Sequence, residues 1–127
     1  VSTDVHDLAA LQGSWEQVDF EENGVSNPPD PHGSPGSLTT ITQNQFAVRT
    51  AEGALLLEGS FELNASANPK AINWIDSIGP DAGKKLPAIY RLEGDRFIFI
   101  AADAGAQRPA EFRTRDGQTM RTFARRS

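Results

Sequence analysis

Two histidines, His6 and His32, are the only imidazoles in the chain, and there is no cysteine. Thiolate metal sites and disulfides are therefore excluded. The two histidines share no ligand motif. His32 sits in Asp30-Pro31-His32-Gly33, and a solvated loop histidine accounts for it. A haem would need one axial imidazole from His6 or His32; nothing else supports that group, and no cofactor is expected. Gly79 to Lys85 superficially resembles a phosphate loop, but three residues separate Gly79 and Gly83 where four are required. Lys85 also stands where Ser or Thr would bind magnesium, so these residues read as a hairpin loop. No Gly-x-Ser-x-Gly elbow is present. Glu58 and Glu62 share one strand face, yet at ~3.3 Å per residue they lie roughly 13 Å apart, too far to work as an acid–base pair. Leu55, Leu57, Phe61 and Leu63 are expected on the opposite, inner face.

The aromatic residues are more informative. Phe97-Ile98-Phe99-Ile100 shows no polar alternation, so both faces of that strand must be covered. One face would line an interior, and the other would lie under the N-terminal helix or a loop. Trp74 and Tyr90 each offer an aromatic wall with one polar atom. Trp74, Tyr90, Phe97 and Phe99 are thus the candidate ligand-binding residues, for a small molecule that is partly apolar or aromatic. Arg49, Arg91 and Arg113 are the candidates for an inward positive charge, with surface positions the simpler expectation for each.

The elements that would hold these side chains are mostly strands. Residues 4–11 suit a short helix, with Asp4 as N-cap and Val5, Leu8 and Leu11 on one face; Gly13 stops it. Strands are expected at 14–22, 37–42, 45–50, 55–63, 70–78, 86–92, 96–102 and 119–126. Turns are signalled by Asn23-Gly24, Gln43-Asn44, Glu52-Gly53, Glu93-Gly94-Asp95 and Asp116-Gly117. Residues 25–36 hold four prolines and two glycines and are expected to be neither strand nor helix. With residues 23–24 they would build the mouth of a cavity. Eight short, evenly spaced strands without alternating helices exclude a parallel sheet and leave up-and-down barrels and sandwiches.

Charge narrows the choice. Net charge is −5 over 127 residues, which argues against nucleic acid as the main partner. Residues 1–64 carry ten acids and one base, and residues 65–127 seven acids and eleven bases. Glu16, Asp19, Glu21 and Glu22 on the first strand would complement Arg121, Arg125 and Arg126 on the last if those strands paired to close a barrel. The rival reading is an anion-binding surface built from Arg113, Arg115, Arg121, Arg125 and Arg126. No apolar run approaches the ~20 residues of a membrane helix. The polar start, residues 1–7, does not read as a signal peptide, and the compartment stays open. One domain spanning 1–127 is expected.

Leu11-Gln12-Gly13-Ser14-Trp15 carries the Gly-x-Trp pattern that opens lipocalin-like barrels. The resemblance implies that Trp15 plugs a closed end and that an Arg of the last strand, Arg125 or Arg126, packs across it. Further pieces follow in order: Gly59-Ser60-Phe61, Pro69-Lys70-Ala71-Ile72, Gly79-Pro80-Asp81-Ala82-Gly83-Lys84, Ile89-Tyr90-Arg91-Leu92-Glu93-Gly94-Asp95 and Arg108-Pro109-Ala110-Glu111-Phe112. With these the chain resembles, from about Leu11 to Arg125, an uncharacterised lipocalin-like domain family first catalogued from planctomycete bacteria. It departs from that family in its Pro-rich loop, 27–35, and in Trp74, where an aliphatic residue is expected. The resemblance implies an eight-stranded antiparallel up-and-down barrel with a short N-terminal helix. It leaves three roles open: a binding barrel, a pocket enzyme with Tyr90 as acid beside an inward Arg or Glu, or a filled-core interaction domain working through its last strand or Pro-rich loop.

Overall fold

The computed structural model describes residues 3–26, 37–67, 69–79 and 82–126. Helix α1 (Thr3–Leu11) is followed by strands β1 (Gly13–Glu22), β2 (Val25–Ser26), β3 (Leu38–Thr42), β4 (Gln45–Arg49), β5 (Leu55–Asn64), β6 (Ala71–Asp76), β7 (Lys85–Glu93), β8 (Arg96–Ala102) and β9 (Gln118–Arg126). Every pairing is antiparallel, and β1 pairs with β9 to close eight strands into a barrel. The short β2 extends the end of β1, where Glu21 faces Ser26 and Glu22 faces Val25. Sequence reasoning excluded a strand there. It exists because Asn23 and Gly24 both take positive φ, 52° and 82°, the geometry of a two-residue hairpin turn, so two residues pair before the prolines begin. Helix α1 already includes Thr3, so Asp4 lies inside it and is not its N-cap. Residues 27–36, with His32 and most of the expected mouth, fall outside the described residues.

Pairing and alternation fix which side chains point inward. Trp15 faces Arg125, Gln17 faces Phe123 and Phe20 faces Arg121 across the closing seam. Strict alternation from Trp15 would put Asp19 inside. A register shift between Gln17 and Asp19 inserts one residue, so Phe20 turns inward and Asp19 outward. The same device corrects the expectation for Leu55. A shift between Val48 and Arg49 sets Leu55 opposite Arg49, and Leu55 is 41% exposed, whereas Leu57 stays inside. Glu58 and Glu62 face outward as expected. Glu62 bonds Lys85 at 3.0 Å and Asn73 at 3.3 Å, and the Lys85 ammonium holds its carboxyl below the usual range, with Asn73 adding to the effect.

The outer face of β7 and β8 is also covered. Ile89 and Ile100 face each other across the pair and are 1% and 0% exposed. The cover is the segment 103–117, not the helix. Arg108 Nη1 donates to the carbonyls of Ile72 (3.1 Å) and Ala88 (2.8 Å), and its Nη2 donates to Asn73 Oδ1 at 2.6 Å. Arg91 lies over the Phe112 ring at 4.4 Å. Beyond β9, Thr114 Oγ1 donates to Glu21 Oε2 at 2.6 Å and accepts from the Gly24 amide at 2.8 Å. The segment is thus riveted at both ends and crosses the outside of β8 and β9. Arg108→Ala removes three charge-assisted hydrogen bonds at a partly solvated position. It is expected to cost about 1–2 kcal/mol, read as a lower urea midpoint with faster amide exchange confined to 103–117. An unchanged midpoint would show that the strap holds without its rivet.

Candidate ligand-binding cavity

One end of the barrel is shut by α1. Trp15 is fully buried, and its Nε1–H donates to the Leu11 carbonyl at 2.8 Å. The Arg125 guanidinium stacks over the Trp15 ring at 4.3 Å, donates to the carbonyls of Gln12 (3.0 Å) and Ala10, and lies 3.3 Å from Asp95. The last turn of α1 has no basic residue of its own, so β9 supplies the cation that its unpaired carbonyls favour. Gln12 ties the same end to the β3–β4 turn by bonding Gln43 through both its amide atoms, 2.9 and 2.6 Å.

Tyr90 belongs to this closed end. Its hydroxyl donates to Asp7 Oδ2 at 2.6 Å, and Lys70 Nζ reaches the same oxygen at 2.9 Å. Tyr90 does not line the cavity at the other end of the barrel, which corrects its place among the ligand-binding candidates. Tyr90 lies deeper along β7 than Leu86, and α1 covers it. The tyrosine–carboxylate pair that a pocket enzyme would need therefore exists, but it is packed beneath the helix and braces it.

The other end holds a cavity of about 270 Å³. Its walls are Phe46, Trp74, Phe97, Phe99 and Phe123, with Val48, Leu57, Leu86 and Ala101 between them; Asp103 and Thr119 line it toward the open end. Trp74 is the hub: its ring lies 4.8 Å from Phe99, 5.1 Å from Phe46, 5.4 Å from Phe61 and 6.4 Å from Phe97. Three of the four sequence-derived candidates, Trp74, Phe97 and Phe99, thus meet in one place.

Besides Asp103 and Thr119 toward the open end, four polar side chains line the cavity that sequence reasoning did not assign to it: Gln17, Thr39, Asp76 and Arg121. Arg121 Nη1 donates to Gln17 Oε1 at 2.9 Å, and its guanidinium lies 4.6 Å from the Phe20 ring centre. The inward arginine is therefore Arg121. Arg49 and Arg113 are exposed, and Arg91 faces the strap. Among the described residues, three buried side-chain atoms find no hydrogen-bond partner: Gln17 Nε2, Trp74 Nε1 and Ser37 Oγ. The first two belong to residues that line the cavity.

The rival charge reading does not survive. Arg126 pairs with Glu16 at 2.6 Å, Arg115 with Glu111 at 2.7 Å, Arg125 serves the helix end and Arg121 the cavity. These arginines form no single anion-binding patch. Among the described residues no three His, Asp or Glu side chains group as a metal site, and no helix is long and apolar enough to cross a membrane. His6 is exposed on α1. A second cleft, about 430 Å³, lies outside the barrel between β6 and the strap. It is larger, but its polar side chains Arg108, Asn73 and Glu62 are bonded to the protein, so it offers a ligand less than the lumen does. No family model matches the chain, and no curated protein or solved structure is significantly similar to it.

Proposed function

We propose that this chain belongs with the lipocalin-like barrels it resembles and that its lumen binds a small, partly apolar molecule. The observation that carries this reading is the cavity itself: an aromatic pocket of about 270 Å³ whose lining includes Gln17 and Trp74, each with a buried donor that has no partner among the described residues. A filled-core scaffold would have no such space. Apolar cavities of ~150 Å³ admit benzene, so this one suits a ligand of roughly ten heavy atoms on the same scale. The acid–base pair of the enzymatic alternative lies outside the cavity, which sets binding ahead of catalysis.

The chain has two tryptophans, so Trp15→Phe leaves Trp74 as the sole indole reporter of the cavity. Titration with indole, α-methylstyrene and decanoate should give a saturable change in Trp74 emission with at least one of them. A Kd of about 10–100 μM is expected for a ligand this small, with a matching rise in Tm. No saturable response from any probe up to its solubility limit would overturn the reading.

A further inference from the structure

We infer that the ligand is an uncharged aromatic compound bearing a carbonyl oxygen, and not a carboxylate; this rests on the binding role proposed above. Gln17 is 3% exposed and Trp74 6% exposed, and Gln17 Nε2 and Trp74 Nε1 have no acceptor among the described residues. Both are donors. The orientation of the Gln17 amide is settled by chemistry, because Arg121 has only donors to offer. Its Nη1 takes Gln17 Oε1 at 2.9 Å, which turns the amide NH2 away from the guanidinium. An unpaired buried donor is costly, and a ligand acceptor removes that cost, whereas a purely apolar ligand leaves it in place.

Among the described residues, two carboxylates, Asp76 and Asp103, and one guanidinium, Arg121, line the cavity. The guanidinium is already turned to Gln17 Oε1 and the Phe20 face. An anion entering this lumen would lose its hydration and meet a net negative lining, an arrangement that excludes it. A carbonyl oxygen brings two lone pairs and no net charge. The rings around Trp74 favour an aromatic body by offset and edge contacts.

Three probes of equal heavy-atom count separate these terms: acetophenone, its hydrocarbon isostere α-methylstyrene, and benzoate. Binding is measured by calorimetry on the full chain and on Trp74→Phe, which keeps a ring and removes the N–H. Acetophenone should bind about tenfold more tightly than α-methylstyrene, with benzoate weakest. In Trp74→Phe that preference should shrink by about threefold or more while α-methylstyrene affinity holds. If α-methylstyrene binds and acetophenone binds no better, the cavity is a ligand site but the carbonyl assignment fails. Tightest binding by benzoate overturns the assignment in favour of an Arg121 anion clamp. If none of the three binds, the binding role falls with it.

Discussion

Trp15→Ala is expected to lower the stability of the fold by about 4 kcal/mol, the range found for deleting a large buried aromatic. At a slope of ~1.5 kcal/mol/M this moves the urea midpoint down by roughly 2.5 M. The size follows from how many things Trp15 does at once. It fills the closed end with no exposed surface and packs 5.7 Å from Phe97. It also caps the last turn of α1 through Leu11 and carries the Arg125 guanidinium on its face. With the ring gone, Arg125 loses its platform, and the helix loses its hold on the barrel end. A domain of this size holds about 5–15 kcal/mol in total, so the variant should be close to unfolding at 37 °C. Trp15→Phe keeps one aromatic ring but gives up the N–H bond and the volume of the second ring, and should cost about 2 kcal/mol. A loss below about 1.5 kcal/mol for the alanine variant would mean that Asp7, Lys70 and Tyr90 alone hold the lid in place.

The barrel strands were legible in the sequence because they depend on local signals, and the closing pair because opposite charges mark its two strands at the two ends of the chain. Alternation and turn residues are carried by neighbours in the chain, and each of the eight barrel strands, though not the short β2, was placed within about two residues of its observed bounds. The polar half of the cavity was also written there but went unread. Gln17 is two positions from Trp15, Asp76 two from Trp74, and Arg121 four from Arg125. At a side-chain period of two each falls on the face of a residue already assigned inward. The charge pattern drew attention to Arg121 as one member of a basic strand and away from the face it occupies. Alternation still needs the bulge at Val18 to carry Phe20 inward and release Asp19, and a bulge leaves no mark in a single sequence.

Tyr90 shows the opposite limit. Its face was right, since it lies opposite Phe99 on the inner side of the β7–β8 pair. Its depth was wrong. Which end of an inward strand becomes cavity and which becomes plug depends on where α1 docks, and that is decided by contacts 83 and 63 residues away in the chain, Asp7 to Tyr90 and Asp7 to Lys70. The strap of 103–117 has the same character. Arg108, Pro109 and Phe112 stood out only through the family resemblance. Their work, covering Ile89 and Ile100, becomes visible once the barrel exists to be covered.

Gly59→Ala should be the most damaging Gly→Ala change among the described residues. In a strand, Gly to Ala ordinarily gains about 0.4–1 kcal/mol by restricting the unfolded chain. Here the sign reverses, because β5 and β6 approach too closely for any side chain. A Cβ on Gly59 would stand 2.1 Å from the Ile75 carbonyl oxygen and 2.9 Å from Asp76 Cα. These are backbone atoms of the paired strand, and they yield only if the β5–β6 ladder parts around Gly59 and Asp76. Overpacking of this kind costs about 1–3 kcal/mol where side chains can shift and more where only backbone can, so a loss of about 3 kcal/mol or above is expected. The neighbour Ser60 faces outward, and Ser60→Ala should stay within about 0.5 kcal/mol. The pair also tests how the cavity is built. Displacing Asp76 moves the strand that carries Trp74, so the emission of Trp74 in a Trp15→Phe background should change with Gly59→Ala and not with Ser60→Ala. If Gly59→Ala were neutral or stabilising, β5 and β6 would have slack at this point, and the polar end of the cavity would be a looser site than its packing implies.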